Sequence, residues 1–191
     1  MCDRICHDLL FELLSDKNVN PFVIKIVMDS YSRQINQTKW LNETSFQFKS
    51  INGVRQGGIL SPLLYSIYND VLIDNLRRQG HGCHKGDHFI GALSYADDLC
   101  ILSPTIKGLQ SMLNVCEEFS KQYDVLFNPK KTQCIHFTKK SNTVENISVY
   151  LCGEKLNWCS NIKHLGNWVS SNLCEKYEIN RKCGILLWCC K

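Results

Sequence analysis

No apolar run in this chain approaches the ~18 residues that a membrane-crossing helix needs. The start, Met1-Cys2-Asp3-Arg4, is charged and has no apolar signal-peptide core. Internal repeats and low-complexity linkers are absent, and so is any strong bias of charge: the formal net charge is only +4. That mild basic excess is compatible with nucleic acid without pointing to it. The twelve cysteines include no CxxC pair and no ladder of short spacings, which excludes a paired zinc ribbon and a secreted disulfide scaffold. A reducing intracellular location, cytoplasm or nucleus and not secreted, is the expectation. What is present is a globular chain of 191 residues, 44% hydrophobic, long enough for one sizeable core.

Apolar periodicity predicts a helix over 4–16, with Ile5, Leu9, Leu10, Leu13 and Leu14 on one side. Asn20-Pro21 opens a second helix, and 34–50 reads as β-like, with Phe46-Gln47-Phe48 alternating. A glycine-rich connection over 53–60 leads to Ser61 as N-cap and Pro62 as first helical residue of a helix reaching Arg78. A helix follows from about Ile106 to Tyr123, then strands near 132–137, 149–156 and 162–169. Residues from Glu175 onward read as helical, ending uncapped after Ile185-Leu186-Leu187-Trp188, as in a chain cut short. The fold class is α+β, an antiparallel sheet with helices packed on one face.

Chemistry concentrates at Ser94-Tyr95-Ala96-Asp97-Asp98-Leu99, where two acids interrupt an apolar stretch. The pattern predicts a β-hairpin whose turn carries both carboxylates. Such a pair is either a solvated acidic turn or a grip for a cation; oxygen donors in that arrangement suit Mg²⁺. His81, Cys83, His84, Asp87 and His88 read as a surface turn or, at unorthodox spacing, a zinc cluster.

Asn52-Gly53-Val54-Arg55-Gln56-Gly57-Gly58-Ile59-Leu60-Ser61-Pro62-Leu63-Leu64-Tyr65, followed by Tyr95-Ala96-Asp97-Asp98, resembles reverse transcriptase. The likeness is greatest to the palm of non-LTR (LINE-like) retrotransposon polymerases. Asp3 to Phe11, Phe127 to Thr132, Lys163 to Gly166, and Glu175 to Arg181 resemble further family stretches in order. The resemblance implies a single partial reverse transcriptase domain over 1–191. Its palm core would occupy about 1–140, and its primer-grip hairpin and thumb connection about 145–191. It implies a palm-like sheet with partial fingers and the start of a thumb, the missing fingers and thumb segments being partners. RNA template, DNA primer and deoxynucleotide are the substrates, and no membrane is involved.

By the same resemblance, Asp97 and Asp98 are catalytic metal ligands for two Mg²⁺ ions ~3.5–4 Å apart, with Mn²⁺ as an alternative. Lys131 is a catalytic proton donor or charge partner for pyrophosphate. Arg55, Gln56, Gly57 and Tyr95 lie at the nucleotide, template and primer end. Leu165, Gly166 and Trp168 shape the primer grip. The pattern sets the family's third carboxylate ahead of Met1, with Cys2 at the residue that screens the sugar; Asp3 then serves to cap a helix. Two readings follow: a polymerase fragment inactive in isolation, or a non-catalytic nucleic-acid-binding remnant of a decayed mobile element.

Overall fold

The computed structural model describes residues 4–137 and 147–171, together with the backbone of 187–190. These residues fall into two compact units: one runs up to Asp70 and includes Tyr123–Val125, the other holds 71–122 and everything from Leu126 onward.

The first unit begins with an extended segment where a helix is expected. Cys6 bridges Asn52 in antiparallel fashion, and the Ile5 carbonyl accepts Gly53 N–H at 2.8 Å. That pairing keeps 5–6 extended, so helix α1 spans His7–Asp16 and buries Leu10 and Leu14. Helix α2 spans Pro21–Ser32; Asn20 caps it by accepting Phe22 N–H at 2.9 Å. Of its twelve residues only Val27 is buried. A β-ribbon follows, pairing Ile35–Asn36 with Phe48–Lys49 and Lys39–Trp40 with Glu43–Thr44. Between the two pairings the returning strand takes four steps against three, so it carries a bulge.

Helix α3, Ser61–Arg78, crosses from one unit into the other. In the first unit its Tyr68 hydroxyl donates to the Tyr123 carbonyl at 2.8 Å. Burial pushes the Tyr68 phenol up to about 12. Ser61 does not act as the predicted side-chain cap. Its hydroxyl donates to the Arg55 carbonyl, and helical bonding starts one residue earlier, from the Leu60 carbonyl to Leu64 N–H at 2.9 Å.

The second unit is organised by α4, Ile106–Tyr123, the boundaries the periodicity predicts. Thr105 Oγ1 accepts Gly108 N–H at 3.0 Å. Leu109, Met112, Leu113, Cys116 and Phe119 form its buried stripe, the leucines, Met112 and Phe119 each contributing about 1.5–3 kcal/mol of burial. On its other side Gln110 exchanges two hydrogen bonds with the Tyr150 backbone, at 3.0 and 2.8 Å.

The strands differ from one continuous antiparallel sheet. Ala92–Tyr95 pairs with Asp98–Ile101, and Gln133–His136 lies in a three-stranded sheet between Asn157–Trp158, which runs parallel to it, and Leu187–Cys190, antiparallel. Leu187–Cys190 also lies alongside Asp98–Ile101. This corrects the helix expected there: the stretch pairs residue by residue with 133–136. The rest of that expected helix, with the Glu175 to Arg181 thumb connection, lies outside the described residues. The expected strand over 149–156 is a small hairpin, Tyr150–Leu151 with Glu154–Lys155, because Cys152 and Gly153 both take positive φ, +51° and +77°. No helix among the described residues is long and apolar enough to cross a membrane.

Candidate active site

The acidic hairpin has a two-residue loop. Tyr95 pairs with Asp98, which leaves Ala96 and Asp97 at the tip. Asp97 therefore sits in the turn, while Asp98 is the first residue of the returning strand, a finer division than the expected turn holding both. Ala96 has φ +47°, a left-handed conformation that a residue with a Cβ adopts at a cost. Both aspartates are half-buried. Behind them Leu99, Cys100 and Ile101 are buried in succession, so the returning strand is enclosed on both faces. Tyr95, opposite Asp98, is 67% exposed: its ring is not core packing but lies open beside the acids.

Two adjacent carboxylates on a half-buried tip are hard oxygen donors of the kind Mg²⁺ and Mn²⁺ take. Among the described residues no group of three or more His, Cys, Asp or Glu side chains could hold a metal ion. The soft-ligand alternative fares worse. His84 and His88 fall in a small hairpin, His84–Lys85 with His88–Phe89, where the His84 ring packs edge-on against Phe89 at 5.4 Å and its Nδ1–H donates to the Gly82 carbonyl at 3.0 Å.

The glycine loop belongs to the first unit and is tied down at both ends. At its entry His7 Nε2–H donates to the Gly53 carbonyl at 2.8 Å, and the His7 ring packs edge-on against Tyr31 at 4.8 Å. At its exit the Arg55 carbonyl accepts Gly58 N–H at 3.0 Å as well as the Ser61 hydroxyl. Between these anchors Arg55, Gln56 and Gly57 are exposed. Gly57 has φ +76° with open space where a Cβ would stand, so its backbone is approachable. His7 has no role in the sequence reading; its signal there was only a histidine at the mouth of a helix, which no motif distinguishes.

Lys131 lies on a turn built by Asn128, whose side-chain oxygen accepts Lys130 and Lys131 N–H at 3.0 and 3.3 Å. Thr132 is buried, its hydroxyl donating to the Asn128 carbonyl at 2.9 Å, while Lys131 is exposed. The last constellation is the hairpin Asn161–His164 with Asn167–Ser170, turned by Leu165 at φ +47° and Gly166 at φ +85°. Left-handed φ at both positions is the type I′ pattern. Ile162 and Val169 pack on Ile135 and Phe137, so the pair Lys163 and Trp168 stands on the opposite, exposed face. The structure thus brings Tyr95, Asp97 and Asp98 together, Arg55, Gln56 and Gly57 together, and Leu165, Gly166 and Trp168 together, with Lys131 on its own turn.

Residues 3–169 match the family described as reverse transcriptase (RNA-dependent DNA polymerase). The chain is 27% identical, over 86% of its length, to a Retrovirus-related Pol polyprotein from type-1 retrotransposable element R2 of Nasonia vitripennis. It is 30% identical, over 86% of its length, to a Probable RNA-directed DNA polymerase from transposon BS of Drosophila melanogaster. The matched regions cover 17% and 18% of those two relatives, so the chain corresponds to a small part of each.

Proposed function

Since the chain belongs to the reverse transcriptase family, we propose that it is the polymerase domain of a non-LTR retrotransposon polyprotein, adding deoxynucleotides to a DNA primer along an RNA template. The observation that carries this reading is the Asp97–Asp98 tip, two half-buried carboxylates on a strand enclosed behind them. Asp97 and Asp98 would hold Mg²⁺, or Mn²⁺ in its place; when bound, the metal lowers the pKa of the primer hydroxyl and stabilises charge on the departing pyrophosphate.

The chain's own residues bind and orient. Tyr95, open beside Asp98, flanks the primer end. Gly57 admits the nucleotide close to backbone, with Arg55 and Gln56 beside the nucleotide and template. Lys131 supplies positive charge, or a proton, to pyrophosphate. Leu165, Gly166 and Trp168 hold the primer strand. The matched regions are 17% and 18% of those two relatives, so on this reading the polypeptide by itself binds nucleotide, while primer extension belongs to the longer polyprotein.

The test is nucleotide binding and primer extension by the purified chain, with and without Mg²⁺. Metal-dependent nucleotide affinity that is lost in D97N/D98N, without primer extension, is the expected result. No metal-dependent affinity would sink the polymerase reading in favour of a non-catalytic remnant, and robust synthesis would sink the inactivity of the isolated polypeptide.

A further inference from the structure

The Gly53 peptide is held from both sides by the residues that lead into α1. Gly53 N–H donates to the Ile5 carbonyl at 2.8 Å, beside the Cys6–Asn52 bridge, and the Gly53 carbonyl accepts His7 Nε2–H at 2.8 Å. A carbonyl only accepts, so this bond fixes the imidazole proton on Nε2 and leaves that nitrogen no lone pair for a metal or a proton. The ring is itself wedged. His7 is the first residue of α1, its ring meets Tyr31 of α2 edge-on at 4.8 Å, and its centre lies 6.2 Å from that of Phe11. Gly53 has φ +89°, in the left-handed region that favours glycine. Val54 follows and is buried, and then come the exposed Arg55, Gln56 and Gly57. The far side of the loop is fixed through the Arg55 carbonyl, which accepts both Gly58 N–H and the Ser61 hydroxyl. The near side depends on the Gly53 peptide, and so on His7.

We infer, on the basis of the polymerase reading above, that His7 is a positioning residue for the nucleotide site at Arg55–Gly57: it does not touch the nucleotide, but sets the shape of the loop before the nucleotide arrives. A loop already in its binding shape is spared the ordering cost that association otherwise carries. One hydrogen bond to a backbone carbonyl contributes modestly, so its loss weakens binding without abolishing it. The imidazole combines two functions here, a flat ring for Tyr31 and Phe11 and a donor for Gly53. Substitution separates them. Phenylalanine keeps the ring and removes the donor. Glutamine gives up the ring but carries an amide N–H at about the reach of Nε2, whereas asparagine falls short of it.

The probe is a deoxynucleoside triphosphate with Mg²⁺, titrated calorimetrically into the full chain and its His7 variants, each checked for folding by circular dichroism. His7→Phe should weaken binding about fivefold to tenfold, His7→Gln should restore most of the affinity, and His7→Asn should not. Without nucleotide, backbone NMR of His7→Phe should show the amides of Gly53 to Gly57 shifted and exchanging faster. The broadening of Tyr95 to Asp98 by Mn²⁺ should stay as in the unaltered chain, because His7 acts on the loop and not on the acids. A folded His7→Phe chain that binds nucleotide as tightly as the unaltered one overturns the inference. So does a His7→Gln chain no better than His7→Phe, or a glycine loop whose amide signals ignore the loss of the donor. Absence of Mg²⁺-dependent affinity in the unaltered chain is instead the failure of the polymerase reading, and the loop signals, read without nucleotide, still decide whether His7 holds the loop.

Discussion

Two hairpins of the second unit are built to the same plan and mounted differently. Ala92–Tyr95 with Asp98–Ile101, and Asn161–His164 with Asn167–Ser170, each join four-residue strands through a two-residue loop. In both, the first loop residue has a Cβ and φ +47°. The second loop residue separates them: Gly166 follows Leu165 with φ +85°, relaxing the turn, whereas Asp97 follows Ala96 and places a carboxylate at the apex. Their supports differ too. The acidic tip rests on a strand buried on both faces, while the other hairpin buries Ile162 alone and turns Trp168 and Lys163 outward. In the proposed reading a tip that holds a cation at fixed geometry is served by the first kind of mount.

The largest expected effect lies at the apex. Asp97→Asn with Asp98→Asn should lower Mg²⁺-dependent nucleotide affinity at least about 100-fold, by calorimetric titration, with little change in Tm, since removing two like charges from one turn relieves repulsion. If the same pair of changes left affinity intact, the acidic hairpin would be no more specialised than its counterpart.

Next come the supports. Leu99→Ala or Ile101→Ala should cost about 2–5 kcal/mol in urea denaturation, whereas Trp168→Ala should stay within about 0.5 kcal/mol. Comparable losses from the two hairpins would erase the distinction drawn between their mounts.

A third test addresses the sheet that carries the second hairpin. Both ring nitrogens of His136 are buried with no hydrogen-bond partner among the described residues, and desolvation lowers its pKa below 6.5. The unfolded chain therefore takes up a proton near pH 6.5 that the folded chain refuses, so stability falls as pH drops through that value toward the folded pKa. His136→Phe should remove this acid-side loss and add about 1 kcal/mol at neutral pH, read by thermal melts from pH 5 to 7.5. The acidic hairpin gains nothing from that change.

The smallest effects are in the turns. Leu165→Asn should stabilise by about 0.5–1 kcal/mol, because Asn tolerates left-handed φ and Asn-Gly suits type I′. Ala96→Gly should change stability by no more than about 0.5 kcal/mol, relief of strain being offset by a freer unfolded chain.

These contrasts also mark what can be read from one-dimensional information. Helix α4 was fully legible because Leu109, Met112, Leu113, Cys116 and Phe119 recur at helical spacing along it. Asn20-Pro21 was legible because cap chemistry is local. The acidic hairpin was legible as a motif, but not the assignment of Asp97 to the turn and Asp98 to the strand, which rests on cross-strand register. Long-range pairing hid the rest. Cys6 meeting Asn52 delays α1 to His7, and 187–190 meeting 133–136 makes a strand of an apolar run that local pattern reads as helix. Ser61 has the sequence of a cap, yet its hydroxyl is taken by Arg55, six residues back. His7 acquires meaning only when Gly53, forty-six residues away, comes within 2.8 Å.

Paramagnetic broadening by Mn²⁺ in a backbone-assigned NMR spectrum of the chain tests the central claim most directly. At substoichiometric metal, the amide signals of Tyr95, Ala96, Asp97 and Asp98 should vanish first, and excess Mg²⁺ should restore them. Broadening that begins at other acidic positions, such as Asp74 or Glu117, and leaves the 95–98 signals sharp would contradict it.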